Sequence, residues 1–88
     1  RRLAKDEYYD SDIISCRFLG EKMEFFAARS KGYRLERNHY IMNLVYTDNQ
    51  SIIELVYEVN TFESEYLYHV ELFNQIISSF RGKKEIMN

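Results

Sequence analysis

Residues 40–59, YIMNLVYTDNQSIIELVYEV, running into 60–82, NTFESEYLYHVELFNQIISSFRG, decide the fold of this 88-residue chain. The first part predicts two strands, Tyr40 to Thr47 and Gln50 to Val59. They are joined at Asp48-Asn49, residues that tolerate the left-handed backbone of a tight two-residue turn. Pairing Thr47 with Gln50 sets Val45 against Ile52, Leu44 against Ile53, Met42 against Leu55 and Tyr40 against Tyr57. Side chains alternate along a strand, so one face carries Tyr40, Met42, Leu44, Tyr46, Ile53, Leu55, Tyr57 and Val59. That is the expected core face. The other carries Ile41, Val45, Ile52 and Val56 among Asn43, Glu54 and Glu58, too apolar for a sheet face left open to water. An upstream segment, a partner subunit or a helix of a longer protein is expected to cover part of it.

The second part predicts one long helix. Asn60 suits the N-cap, and Glu63 three residues on would complete a capping box. Phe62, Tyr66, His69 or Val70, Phe73, Ile76, Ile77 and Phe80 then recur at helical spacing as one apolar stripe. Gly82 ends the pattern, with Arg81, Lys83 and Lys84 set against the negative end of the helix dipole. The stripe is expected to lie on the core face of the sheet.

Upstream, Asp12 to Leu19 alternates as a half-buried strand, with Ile14, Cys16 and Phe18 on one side and Ile13, Ser15 and Arg17 on the other. A turn is expected at Gly20-Glu21. Lys22 to Arg29 fits either a strand through Met23, Phe25 and Ala27 or a short helix through Met23, Phe26 and Ala27; the β-favouring Phe25-Phe26 and the short connection favour the strand. Ser30-Lys31-Gly32 marks a second turn, and Tyr33 to Asn38 reads as a polar edge or loop. The expected architecture is α+β: an antiparallel sheet of three or four strands with the C-terminal helix packed on one face. Residues 1–11 read as a polar lead-in, 12–82 as one domain and 83–88 as a charged tail.

Composition agrees with a single small core. Apolar residues make up 45% and aromatic residues 16% of the chain, too many for a disordered segment. Eighty-eight residues cannot support two cores. No Pro and three Gly favour long regular elements over a loop-rich scaffold. The net charge of −2 gives no general attraction to nucleic acid or anionic lipid. Because the sequence opens on Arg1 without an initiator Met, it reads as a segment of something longer. No apolar run approaches a membrane span, and Arg1 to Asp12 is too polar for a signal sequence. The single Cys16 excludes an internal disulfide. Ile13-Ile14-Ser15-Cys16 is loosely like a lipoprotein box but follows a charged stretch where an apolar run is needed, so Cys16 is expected to be a buried, inert strand residue.

Few constellations point to chemistry. Glu65 and His69 lie one helical turn apart, a spacing that serves an acid-base pair or two metal ligands, but no second His follows and a helix-surface hydrogen bond is the simpler reading. Ser64, Ser78 and Ser79 lack a nucleophile elbow, and no phosphate loop or dinucleotide fingerprint is present. Neither catalysis nor a metal or cofactor is expected. Arg29, Lys31, Arg34, Arg37 and His39, interleaved with Tyr33 and Tyr40, concentrate positive charge. The pattern fits a single-stranded RNA contact, a polar protein contact, or a solvated edge strand whose charges discourage aggregation. The helix end is acidic by contrast, which suits oriented docking in an assembly.

The strand-turn-strand from Tyr46 through Glu54-Leu55-Val56-Tyr57, with a helix closing on Phe73-Asn74-Gln75-Ile76-Ile77-Ser78-Ser79-Phe80, resembles the C-terminal end of PsbP/DcrB-like domains over residues 46–80. Such domains are about twice this length. The resemblance implies a non-enzymatic accessory protein of the bacterial envelope or thylakoid lumen, often a lipoprotein or a subunit that stabilises a membrane complex. The resulting expectation is an accessory or scaffolding domain that contacts other subunits through Ile41, Val45, Ile52 and Val56 and through Arg29, Arg34 and Arg37. The alternative is a small hydrophobic-ligand binder, with the helix gripping a curved sheet around a cavity lined by Tyr40, Leu44, Tyr57, Phe73 and Ile77.

Overall fold

The computed structural model describes residues 10–31 and 37–81. Four strands, β1 (Asp10–Phe18), β2 (Glu21–Lys31), β3 (Arg37–Thr47) and β4 (Ile52–Phe62), form one antiparallel sheet in sequence order. A single 3-10 turn, Glu63–Glu65, leads into α1 (Tyr66–Ser78). The expected α+β architecture is therefore present, with four strands. β1 starts two residues inside the expected lead-in. The rest of that lead-in, the tail 83–88, and most of the Tyr33 to Asn38 stretch lie outside the described residues.

The turn between β1 and β2 is Leu19-Gly20, one residue earlier than expected. Both residues have positive φ, 54° and 81°, which is the backbone that two-residue hairpin turns require. Gly20 adopts it without penalty, whereas Leu19 takes it with a β-carbon. The half-buried Leu19 side chain packs against the core, and that contact offsets the unfavourable backbone.

The β3–β4 hairpin differs from its predicted register by two residues. Thr47 pairs with Ile52, Leu44 with Leu55, Met42 with Tyr57 and Tyr40 with Val59. The cause is Asp48. Its carboxylate accepts hydrogen bonds from the backbone N–H of Gln50 and of Ser51, both at 2.8 Å, and from the Ser51 hydroxyl. Its own N–H donates to the Ser51 carbonyl at 3.0 Å. Asp48 thus stands at the first position of the turn, where a short acceptor side chain is favoured, and Asn49-Gln50 fill the centre. These bonds to the charged form hold the Asp48 carboxyl below its usual range. Because side chains repeat every two residues, a two-residue slip moves every partner and leaves every face unchanged.

α1 lies on the core face. Phe73 and Ile77 are buried and pack with Cys16, Phe18, Phe25, Ala27, Met42 and Leu44, flanked by Tyr66 and Val70. Phe73 meets Phe25 edge-on with ring centroids 4.9 Å apart, and the Tyr57 ring lies 5.5 Å away. Beyond the helix end, Phe80 tilts against Phe18 at 5.5 Å. Arg81 donates to the Ser78 carbonyl at 2.9 Å, as expected of a cation at a helix C-terminus. Gly82, Lys83 and Lys84 lie outside the described residues.

Two helix expectations are corrected. Asn60 is not a cap: β3 extends down to Arg37, so Asn60, Thr61 and Phe62 remain in the ladder opposite His39, Asn38 and Arg37. α1 therefore has its N-cap at Glu65, five residues later than the capping signature suggests. Its first turn carries a bond from the buried Thr61 hydroxyl to the Glu65 carboxylate. Phe62 does not belong to the helix stripe, and it lies on the opposite side of the sheet beneath the Arg37 guanidinium. Truncating Phe73 to Ala should cost about 3–5 kcal/mol, as for other fully buried Phe side chains, and denaturant unfolding followed by circular dichroism would measure it.

Candidate functional site

Strand alternation sorts the side chains outside the core into two regions, the sheet face away from α1 and the polar rim where α1 begins. On the far face, β1 contributes Ile13, β2 contributes Phe26, β3 contributes Val45, and β4 contributes Ile52, Val56 and Phe62. All six are exposed, from 36% at Phe26 and 67% at Ile13 to 76% at Ile52. Ile13 and Phe26 are direct cross-strand partners, and Phe26 in turn pairs with Asn43, which pairs with Val56. An apolar row therefore crosses all four strands, interrupted only by Asn43. Asn43 donates a hydrogen bond to the Glu54 carboxylate on the same face. Polar groups frame the row. His39 Nε2 lies 3.5 Å from the Glu58 carboxylate, and Arg37 sits 4.8 Å above the centre of the Phe62 ring.

Of the residues expected at a protein contact, Val45, Ile52 and Val56 are exposed together on this face. Ile41 is on the face but only 1% exposed, so it is removed from the contact surface; its cross-strand partner Ala28 is equally buried. Arg37 joins the apolar residues. Arg29 does not: odd-numbered β2 residues point to the helix side, and there its guanidinium meets the Glu63 carboxylate at 3.1 Å. Arg34 lies outside the described residues. The basic run is thus divided between two faces, because neighbours in a strand point in opposite directions. Sequence reasoning missed Ile13, Phe26 and Phe62. Their signal was the same alternation, carried through the Leu19-Gly20 turn and to the true end of β4.

The rim at the start of α1 is polar and interconnected. The Tyr66 hydroxyl donates to the Asp12 carboxylate at 2.6 Å, and its ring stacks on Tyr40 at 4.9 Å. Asn38 donates to the Tyr40 hydroxyl at 3.2 Å. Ser11, Asp12, Ala27, Arg29, Tyr40 and Tyr66 line a cavity of about 30 Å³, the volume of one water molecule. Further along, the Tyr57 hydroxyl and His69 Nδ1 are 2.6 Å apart, and His69 Nε2 is 4.0 Å from the Glu65 carboxylate. Glu65 and His69 are thus neighbours, as their spacing implies, and each has a strand partner, Thr61 and Tyr57. No cluster of three or more His, Cys, Asp or Glu side chains suited to a metal ion occurs among the described residues.

The five residues expected to line a ligand cavity belong to the packed layer between helix and sheet. Tyr40, Leu44, Phe73 and Ile77 are buried, and Tyr57 is half-buried with its ring against Phe73. Cys16 is buried, and its thiol is pushed up by burial and then by the Glu24 charge, a direction that disfavours the reactive thiolate. No helix among the described residues is long and apolar enough to cross a membrane. No family model, curated protein or solved structure matches the chain.

Burial, followed by the negative charge of the Tyr68 phenolate where it forms, raises the Tyr57 pKa above its usual value. The hydroxyl thus adds stability that is complete below the unfolded-state value near 10 and lost as pH rises through the higher folded value. Replacing Tyr57 by Phe removes the bond to His69 and should cost about 1 kcal/mol at neutral pH. The deficit should shrink at strongly alkaline pH, where wild type must ionise a half-buried phenol. Thermal melts of both proteins across that range would measure the difference.

Proposed function

We propose that this chain is a non-catalytic accessory or scaffolding domain whose working surface is the sheet face opposite α1. The observation that carries this reading is the gathering of Ile13, Phe26, Val45, Ile52, Val56 and Phe62 on one face. An exposed apolar surface of this kind, interspersed with and rimmed by polar groups, is what a protein contact uses. Burying a large aliphatic or aromatic side chain contributes about 1.5–3 kcal/mol, so even half-exposed residues in this number can drive association. Arg37 at one end, with Glu54 and Glu58 along β4, supplies charges that orient a partner.

The finer proposal is that the partner assembly belongs to the envelope or to a membrane-associated complex. Its support is the resemblance of residues 46–80 to the C-terminal end of PsbP/DcrB-like domains. The order of hairpin and helix in this stretch is compatible with that resemblance. The core packing of Leu44, Phe73 and Ile77 favours the docking reading over a ligand-gripping one.

The test is a double replacement, Ile52→Lys with Val56→Lys, expressed in the source cells in place of wild type. Both residues point away from the core, so the circular dichroism spectrum should be retained. On native gels of the extract, wild type should migrate within a high-mass species and the variant should not. A variant that still assembles overturns the reading.

A further inference from the structure

The two edges of the sheet are β1 and β4. Which main-chain groups they present follows from two hydrogen bonds. Asp48 N–H donates to the Ser51 carbonyl, which makes residues 48 and 51 a hydrogen-bonded pair. Alternation along the register then turns the odd-numbered residues of β4 toward β3 and points the N–H and C=O of Ile52, Glu54, Val56, Glu58, Asn60 and Phe62 outward. Carried across the other ladders, the same alternation points Ser11, Ile13, Ser15 and Arg17 outward on β1. There α1 already intervenes: Asn74 donates to the Ser15 carbonyl at 3.2 Å. β4, at the other edge, runs for 11 residues and contains no Pro, Gly or Lys, so several common devices that blunt an edge strand are missing from its own sequence.

We propose that two copies of this chain pair edge to edge through β4, antiparallel about a two-fold axis normal to the sheet at Tyr57, forming one eight-stranded sheet. Full overlap of the strands and the charges along β4 together select the register. With Tyr57 on the axis the strands overlap along their full length, and Ile52 faces Phe62 of the second copy. Glu54 then faces Asn60, and Val56 faces Glu58. On the helix side, Leu55 faces Val59. No carboxylate opposes another. Moving the axis to Val56 sets Glu54 against Glu58 twice, and moving it to Glu54 or Glu58 sets each against its own copy; like charges directly opposite are destabilising. The chosen register also gives Ile52, the most exposed large apolar residue among those described, an apolar neighbour. An axis normal to the sheet keeps both helices on one side and joins the two apolar faces into one. The pairing uses the edge and does not depend on what docks on the face.

Sedimentation equilibrium of the purified chain should show a monomer–dimer equilibrium. Val56→Pro removes an outward N–H that the β3–β4 ladder does not use, a position where an edge strand tolerates proline. It should leave the circular dichroism spectrum unchanged and raise the dimer dissociation constant at least about tenfold. Glu54→Cys combined with Asn60→Cys should give a covalent dimer on mild oxidation, and Glu54→Cys alone should not. The cysteine pair also decides the matter if the proline variant fails to fold. A wild-type chain that stays monomeric at millimolar concentration overturns the pairing, as does a dimer that folded Val56→Pro leaves intact or that the paired cysteines fail to link. Loss of this dimer with survival of the high-mass species that Ile52→Lys/Val56→Lys disrupts would remove the pairing and leave the docking face standing.

Discussion

One helix can cover one side of a four-stranded sheet, and Phe73 and Ile77 commit α1 to the side that carries Phe25, Met42 and Leu44. This seam decides the rest. It dries the core face, where Phe25, Met42, Leu44, Phe73 and Ile77 are buried together. Among the described residues it leaves the opposite face without a covering helix, although β1, β2, β3 and β4 all place apolar residues there. A sheet that only needed to stand on its core would read apolar on one face and polar on the other. This one does not, and the excess is the basis of its functional reading.

The polar groups are distributed in a way that supports the same seam. At the start of α1, Tyr66 reaches Asp12, Arg29 reaches Glu63, and Glu65 accepts from Thr61. Each bond ties the beginning of the helix to a different strand. A helix whose first turn lacks a side-chain cap gains its definition here from tertiary contacts. Tyr57 and His69 continue the pattern one turn later. These are groups that in isolation look like chemistry, and in place they fix the angle at which the helix meets the sheet.

Much of this was legible in the residues. The α+β class, the hairpin, the helix and the core face all follow from periods of two and of 3.6. The faces survived a wrong register because the error at Asp48 was an even number of residues. What was not legible depended on long-range pairing. Asn60 has every local mark of a helix cap, yet an extended β3 gives it a strand partner, and the ladder wins over the cap. Ile41 belongs by alternation to the exposed face, but burial depends on neighbours that alternation does not describe. Arg29 and Arg37 form one basic run in the sequence and occupy opposite sides of the sheet. Ile13 and Phe26 become part of the apolar row only when β1 and β2 are laid beside β3.

The order of assembly follows from the bonds between α1 and β1. Every strand pairs with its neighbour in sequence, so the three hairpins close over short loops. The contacts Tyr66–Asp12 and Asn74–Ser15 span 54 and 59 residues. They are the non-local contacts in a sheet otherwise built from pairings between sequence neighbours, and their closure carries the largest loop entropy. During synthesis α1 is the last of the described elements to emerge, so the core face stays without its helix until the chain is nearly complete, and the arrival of that helix is what makes the two sides of the sheet different.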